Sequence, residues 1–320
     1  MKDYLGREID YMRISITDRC NLRCKYCMPV PIHKVSMEEI LSFDEIVDVC
    51  KIAAELGIKY IKITGGEPLV RRRCPMLVKM IKDIPGIEKV TLTTNGVLLK
   101  EEIDGLVEAG LDAVNISLDT VKPELFHEIT GFDKFEHVIE GIESALAKNL
   151  RVKINSVLME GMNAEEWHDL ILLAKKYPLD VRFIEMMPIG YGKTNKGISN
   201  ETLKELLAEE YTLIKDNRKH GFGPAEYYNI EGFKGSIGFI SAIHGKFCKD
   251  CNRIRLTSTG FLKPCLCYGD GAELKPVLRN GNLREVKDLM KEIIQNKPRE
   301  HCFENDKEIT ETKEMVDIGG

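Results

Sequence analysis

The sequence lacks the features that would place it in a membrane, in a secretory pathway or on nucleic acid. Its longest apolar runs are a handful of residues, far short of the ~20 that a transmembrane helix requires. Residues 1–8 contain no apolar segment typical of a secretory signal. The 46 basic and 51 acidic side chains leave a net charge of −5, which favours neither nucleic acid nor an acidic membrane as a partner. We therefore expect a cytoplasmic protein with no membrane and no nucleic-acid partner.

The cysteines are too few for a disulfide scaffold, yet they are clustered. The chain has 10 cysteines in 320 residues, and cytoplasmic thiols stay reduced. The first triad, C-x3-C-x2-C, consists of Cys20, Cys24 and Cys27. The second triad, C-x2-C-x13-C, consists of Cys248, Cys251 and Cys265. Two groups of closely spaced thiols indicate two metal centres.

Three ligands per group indicate centres that keep one position open. Closed zinc sites and ferredoxin-type clusters take four protein ligands, so a triad on a cubane cluster leaves one iron free for a small molecule. The second triad also fits zinc, because His244 or Cys267 could complete a tetrahedron there. On spacing alone, zinc and an iron–sulfur cluster remain equally open at the second triad.

Strand and helix patterns alternate between residues 12 and 187. Six strand–helix units predict a parallel sheet with helices outside, either open and doubly wound or closed into a partial barrel. The first helix is predicted over 37–56, where Ser36 and Glu39 match a capping box. The later sequence is glycine-rich and mixes strand and helix patterns. We predict two domains, 1–222 and 223–320.

Polar or glycine-rich segments follow five of the six predicted strands. Because the carboxyl ends of parallel strands share one edge of a sheet, these segments predict one site at that edge. The segments begin at Cys20, Thr64, Thr93, Ser117 and Met186.

A basic segment surrounds the second triad. Between residues 245 and 265 there are five basic side chains against Asp250, a local charge of +4. Arg253 and Arg255 share one face if the segment is extended, and the guanidinium fork suits phosphate oxygens. A polyphosphate small molecule explains this patch better than nucleic acid does.

These motifs resemble those of a known family. Residues 20–27, Cys-Asn-Leu-Arg-Cys-Lys-Tyr-Cys, resemble the signature of radical S-adenosylmethionine (SAM) enzymes, and residues 65–68 resemble their Gly-Gly-Glu-Pro turn. Residues 247–256, the later Cys265, residues 223–228 and the terminal Gly-Gly are together similar to the GTP 3′,8-cyclase family of molybdenum cofactor biosynthesis. The resemblance covers nearly the whole chain. It implies an α/β fold, a partial (β/α)6 TIM-type barrel with a C-terminal α+β extension that carries a second Fe–S cluster.

The resemblance also implies a reaction. GTP would become (8S)-3′,8-cyclo-7,8-dihydroguanosine 5′-triphosphate in a lyase reaction that uses two 4Fe–4S clusters and SAM. A 5′-deoxyadenosyl radical would take the hydrogen from ribose C3′, and C3′ would then bond to C8. The implied partners are GTP, an electron donor such as flavodoxin or ferredoxin, and the next pathway enzyme, cyclic pyranopterin monophosphate synthase. Monomer and homodimer both remain open.

Residue roles follow from the same resemblance. The six cluster ligands would be Cys20, Cys24, Cys27, Cys248, Cys251 and Cys265. SAM would contact Tyr26, Gly66, Glu67, Ser117 and Met187. GTP would contact Arg13, Lys62, Thr93, Lys153, Arg253 and Arg255. The catalytic residues would be the first triad, Arg253, Arg255, Gly319 and Gly320. The family usually has arginine at the position of Lys62, so the charge is kept and the bidentate fork is lost.

Other functions remain open on the residues alone. One is a radical SAM enzyme that modifies a peptide and carries an auxiliary cluster, and another is a non-catalytic Fe–S redox protein. A zinc protein is a third. The Asn-Arg-Ile-Arg run at 252–255 favours a phosphate over a peptide, and the many loop motifs exceed what an electron carrier needs.

Overall fold

Six adjacent parallel strands form the centre of the fold. In the computed structural model, which describes residues 1–28 and 35–319, each strand is hydrogen-bonded to the next one along the chain. These strands are β1 (Tyr11–Ser15), β2 (Tyr60–Thr64), β3 (Lys89–Thr94), β4 (Ala113–Ser117), β5 (Arg151–Ser156) and β6 (Asp180–Ile184). The predicted parallel sheet is confirmed.

Amphipathic helices connect these strands. Their apolar faces are buried with the strand residues that point to the same side of the sheet, such as Met12, Ile14, Val114 and Ile116. The helices are α1 (Phe43–Glu55), α2 (Cys74–Lys82), α3 (Leu99–Glu108), α4 (Pro123–Thr130), α5 (Phe135–Ala147) and α6 (Trp167–Lys176). The other side of the sheet is thereby left for the site.

Helix α1 begins later than the sequence pattern predicts. Ser36 and Glu39 do hydrogen-bond to each other, but the capping box that starts the helix is formed by Ser42 and Glu45. The physical reason is a tertiary contact, because the amide of buried Leu41 donates to the carbonyl of Ser258 at 2.9 Å. This contact holds the chain outside a helix until Ser42, so the predicted start at 37 is wrong.

The later part of the chain extends the same sheet at both edges. Strand β9 pairs with β6 and β10 pairs with β1, both in parallel, while the four remaining strands pair antiparallel further out. The strands are β7 (Ile214–Asp216), β8 (Glu226–Asn229), β9 (Ile237–Ile240), β10 (Arg253–Leu256), β11 (Phe261–Lys263) and β12 (Ala272–Glu273). The helices are α7 (Asn200–Glu210), α8 (Lys275–Arg279), α9 (Leu283–Gln295) and α10 (Met315–Ile318).

The sheet curves around a single large cavity. Residues from β1 to β6 and from β10 all line this space of about 650 Å³. Since side chains alternate along a strand, the residues between the core positions point into it. This curvature brings both edges of the sheet to one site. No helix in the described part of the chain has the length and apolar character needed to cross a bilayer.

Candidate active site

Strand register places a layer of cations across the cavity. Arg13 on β1 is the register partner of both Arg255 on β10 and Lys62 on β2. Further round the sheet, Asn115 on β4 is the register partner of Thr93 on one side. On its other side Asn115 pairs with Lys153. On β3 the register partner of Lys62 is Thr91, so Arg255, Arg13 and Lys62 form one row, and Thr93, Asn115 and Lys153 form a second row offset by two residues. Both rows line the cavity, and together they are called the cation layer.

These cations are buried close to one another. Lys62 and Lys153 are 8% and 4% exposed. Burial lowers the pKa of Lys62 well below its usual value, and repulsion from Arg182, Arg13 and Lys153 lowers it further. Burial, and then Arg182, lower the pKa of Lys153 to about 8, although Asp180 lies 3.2 Å from its ammonium group. Crowded, desolvated positive charge of this kind is stabilised by a polyanion.

Two buried polar atoms beside these cations have free hydrogen-bonding capacity that a ligand could use. Thr93 Oγ1 and Arg182 Nε are buried and have no hydrogen-bond partner in the described part of the chain. Oriented to satisfy its neighbours, the Asn115 amide oxygen accepts from Arg182 Nη2 at 2.9 Å and from Lys62 Nζ. Because buried polar groups are normally paired, the two unpaired atoms indicate a polar molecule bound at this level.

The first triad lies in the loop after β1. Cys20, Cys24 and Cys27 all line the cavity, and the loop turns back where the Cys27 amide donates to the Cys24 carbonyl at 3.0 Å. Burial raises the pKa of Cys27 to about 12, with further contributions from Cys20 and Asp119. Three clustered thiols in a sheltered pocket fit a 4Fe–4S cluster with one open iron, which would bind them as thiolates.

The Gly-Gly-Glu-Pro turn packs against the loop that carries the first triad. The Gly66 amide donates to the Thr17 carbonyl at 2.7 Å, and a Cβ on Gly66 would meet the Arg19 carbonyl oxygen at 2.4 Å. The fully buried Glu67 carboxylate accepts from Thr94 Oγ1 at 2.7 Å and from two backbone amides. Glu67 does not line the cavity, so its side chain braces the loops that do.

The other predicted SAM contacts surround the first triad. Tyr26, Gly66, Ser117 and Met187 all line the cavity. The Tyr26 hydroxyl donates to Asp119 Oδ2 at 2.6 Å, and burial raises the pKa of Asp119 to about 6. This bond ties the first triad's loop to the end of β4.

The second triad also has three thiols at the cavity, and the residues that the structure describes place no fourth ligand beside them. Cys248, Cys251 and Cys265 line it, whereas Cys267 is fully buried away from it, with its Sγ 3.2 Å from that of Cys302. His244 lies outside the lining too, with Nδ1 3.1 Å from Glu185 Oε1. Neither residue is placed to complete a zinc tetrahedron, so the donor set fits a cluster with one open iron.

Charge favours thiolate at the second triad. Burial by itself would raise the pKa of Cys251, but Arg253 and Lys297 outweigh it and bring the pKa to about 6. Arg253 Nη2 lies 3.9 Å from the Cys251 sulfur. A thiolate is the form that binds iron.

The two triads lie at opposite ends of one strand pair. Cys20 follows the end of β1, and Cys251 precedes the start of β10, which runs parallel to β1. Five strand residues span on the order of 16 Å. Arg13 and Arg255 face each other in register between the two ends. A molecule bound to both centres therefore crosses the cation layer.

Comparison with known proteins agrees with this arrangement. Residues 14–174 match the Radical SAM superfamily, and residues 179–303 match the family described as Molybdenum Cofactor Synthesis C. The chain is 47% identical over 323 residues to the GTP 3′,8-cyclase of Clostridium perfringens (strain SM101 / Type A), with 100% of both chains covered. It is 44% identical over 326 residues to that of Syntrophomonas wolfei subsp. wolfei, again with both chains fully covered.

The chain belongs to the GTP 3′,8-cyclase family of radical SAM proteins. The resemblance stated from the motifs is therefore confirmed.

A solved structure shares the fold of this GTP 3′,8-cyclase family member. Streptococcus suis SuiB bound to S-adenosylmethionine superposes with a TM-score of 0.65 at 15% identity, covering 90% of this chain and 68% of SuiB. The two family matches meet between residues 174 and 179. The boundary at 222/223 stays a prediction, as do the roles of individual residues.

The C-terminal tail reaches the cation layer. Arg255 Nη1 donates to the Gly319 carbonyl at 2.7 Å, and Gly319 is buried beside Ser15 and Thr64. Gly320 lies outside the described residues. From sequence alone a terminal Gly-Gly is a frayed end, so only the fold brings Gly319 to the site.

Some cavity residues were missed by sequence reasoning. Asn115, Arg182 and Lys297 line the cavity but belong to no quoted motif. Two of them carried a usable signal, because Asn115 lies two residues before Ser117 and Arg182 lies two residues after Asp180. Residues two apart on a strand share a face, so the alternation itself points to Asn115 and Arg182.

Replacing Gly319 should release the tail. Its φ of +74° is unfavourable for other residues, and a Cβ would meet the Ser15 Cβ at 3.0 Å. Strain on the order of 1–3 kcal/mol corresponds to a shift of roughly 5- to 150-fold toward a displaced tail. We expect Gly319→Ala to speed tryptic cleavage after the exposed Lys313 about tenfold, measured by intact-mass spectrometry under native conditions.

Gly281→Ala is the matched control, because Gly281 has the same φ of +74° but no atom within 4 Å of its added Cβ. Equal cleavage rates in wild type and Gly319→Ala would show that the tail is not held at this position.

Proposed function

We propose that this chain is a radical SAM enzyme that converts GTP to (8S)-3′,8-cyclo-7,8-dihydroguanosine 5′-triphosphate, the first step of molybdenum cofactor biosynthesis. One observation carries the proposal. A single cavity of about 650 Å³ is lined by two cysteine triads and, between them, by a layer of buried cations. Family membership supports it, since the curated relatives carry the name of this activity.

The first triad and its surroundings would hold the radical source. Cys20, Cys24 and Cys27 would bind a 4Fe–4S cluster, and Tyr26, Gly66, Ser117 and Met187 would contact SAM. When bound, this pair would supply the 5′-deoxyadenosyl radical that takes hydrogen from ribose C3′. C3′ would then bond to C8, and one further electron from the donor with one proton at N7 would complete the 7,8-dihydro product. Glu67 would act on SAM indirectly, by holding the turn that carries Gly66. Binding inside this cavity would shelter the reacting atoms from bulk water.

The cation layer would hold the GTP triphosphate. Burying a polyanion is costly unless charges pair with it, and these side chains are already desolvated by the fold. Thr93 and Arg182 offer buried, unpaired polar atoms at the same level. The guanine would face the second triad, which leaves the ribose toward the first. The proposed triphosphate contacts are Arg13, Lys62, Lys153, Arg253 and Arg255.

The two predicted domains would have different roles in the reaction. Residues 1–222 would hold SAM and the first cluster, and residues 223–320 would supply Cys248, Cys251 and Cys265 for the second cluster. Gly319 would complete the site through its bond to Arg255, with Gly320 beyond it. Reduction of the first cluster requires a one-electron donor such as flavodoxin or ferredoxin. The product would pass to cyclic pyranopterin monophosphate synthase, the next enzyme of the pathway.

Cleavage of SAM should depend on GTP. Protein purified without oxygen should carry about eight iron atoms per chain, as two 4Fe–4S clusters require. With SAM and a low-potential reductant, we expect 5′-deoxyadenosine to form quickly only when GTP is added, because the bound nucleotide supplies the hydrogen atom. Liquid chromatography with mass spectrometry measures the 5′-deoxyadenosine and the cyclised nucleotide.

Guanosine, which lacks the triphosphate, and a generic peptide are the comparison substrates. Equal SAM cleavage with guanosine, with peptide or with no addition would contradict the proposal, as would stoichiometric zinc in place of iron. A response to peptide alone would favour a peptide-modifying enzyme.

GTP affinity should fall as the pH rises through about 8. Lys153 has a pKa lowered to about 8, so it is charged at pH 7 and loses its proton above 8. A triphosphate prefers the charged form, and one proton allows at most about a tenfold loss of affinity per pH unit. Calorimetric titration of GTP from pH 7 to 9 measures the slope. Lys153→Met should bind GTP more weakly at pH 7 and show a flatter profile.

Lys148→Met serves as the control, because Lys148 is an exposed lysine paired with Asp104 at the surface. An unchanged pH profile in Lys153→Met would remove Lys153 from the proposed triphosphate contacts.

A further inference from the structure

Two buried cations that take no part in the proposed GTP contacts touch the backbone around the second triad. Arg7 and Lys297 are 8% and 6% exposed, which is rare for such side chains unless they are paired. No motif in the sequence includes either residue. Their partners explain why they are buried.

The Arg7 guanidinium is surrounded by backbone oxygens. Its Nη1 donates to the Cys248 carbonyl at 2.9 Å, and its two terminal nitrogens donate to the carbonyls of residues 297–299 at 2.7 to 3.0 Å. Its Nε donates to Asp3 Oδ2 at 2.6 Å, which fixes the plane of the fork. Arg7 therefore joins the first cysteine of the second triad to the segment that follows α9.

Lys297 extends this linkage to the other two cysteines. Its Nζ donates to the Arg253 carbonyl at 2.9 Å and to the Pro264 carbonyl. Arg253 lies two residues after Cys251, and Pro264 directly precedes Cys265. The Lys297 side chain also lines the cavity. One ammonium group thus connects the two segments that Arg7 does not reach.

We propose that Arg7 and Lys297 are positioning residues for the second cluster. Together they tie the backbone beside Cys248, Cys251 and Cys265 into one frame, so that the three sulfurs are held in place for the cluster. The proposal rests on the proposed function only in taking the second triad as an iron–sulfur site. Its physical basis is that each donor pairs a buried carbonyl, which would be left unsatisfied without it.

Lys297 should also influence the electronic state of the cluster. Reduction adds an electron beside a buried positive charge, which stabilises the reduced form. Removing that charge should lower the reduction potential of the second cluster, an effect that a purely structural role would not produce.

The test isolates the second triad. In a variant with Cys20→Ala, Cys24→Ala and Cys27→Ala together, the remaining iron and the remaining reduced-cluster EPR signal come from the second triad. Adding Arg7→Ala or Lys297→Met should weaken cluster retention about 10- to 100-fold, measured as iron lost to a chelator under anaerobic conditions. Arg7→Lys, which keeps the charge but not the fork, should recover part of the loss.

Arg284→Ala is the matched control, because Arg284 is an exposed arginine on α9. Circular dichroism of the cluster-free proteins checks that each variant folds. If Arg7→Ala does not fold, iron retention in Lys297→Met tests the proposal. Redox titration of Lys297→Met in the same background should show a lower midpoint potential.

Unchanged iron retention in both variants, together with an unchanged potential in Lys297→Met, would overturn the proposal. A triple-cysteine variant that binds no iron would overturn it together with the second-cluster assignment. Wild-type protein that holds two clusters but does not cyclise GTP would contradict the proposed function and leave this inference standing.

Discussion

Positive charge buried inside a curved sheet is the constraint on which the rest of the structure depends. Strand register sets Arg13 beside Arg255 and Lys62, so their positions follow from the pairing of β1 with its neighbours. The pKa of Lys62 is lowered first by burial, so the fold holds this charge at an energetic cost. The apolar core on the other side of the sheet keeps the strands in register despite that cost. A polyanionic substrate relieves it.

The same strand pairing also sets the distance between the two centres. Because β10 joins β1 in parallel, the first triad follows one end of the pair and the second triad precedes the other. The cavity between them is lined by Arg255, which donates to the Gly319 carbonyl of the tail at 2.7 Å. One strand pair therefore sets the distance between the two triads, the positive charge between them and the length of a substrate that reaches both.

Local patterns were enough to predict the central sheet and both sets of thiols. Period-two apolar segments separated by helical patterns predict β1 to β6, and the cysteine spacing predicts the two triads without any tertiary information. Polar residues after the strands predicted a shared edge, and Thr93 and Ser117 both line the cavity there.

The remainder depends on contacts between distant parts of the chain. The start of α1 depends on the bond from Leu41 to Ser258, which no local pattern encodes. Arg7 meets the second triad only after residues near the two ends of the chain are brought together. Glu67 stays a predicted cofactor contact, and its carboxylate accepts from Thr94 and backbone amides, a pairing that appears only in three dimensions.

In the proposed function, the cation layer holds GTP with its ribose toward the first triad. GTP that carries deuterium at ribose C3′ tests this most directly, with the mass of 5′-deoxyadenosine as the measurement. We expect 5′-deoxyadenosine to gain one deuterium in each turnover that yields the cyclised nucleotide. Product formation with unlabelled 5′-deoxyadenosine would show that another hydrogen faces the radical, and would contradict the proposed orientation of the substrate.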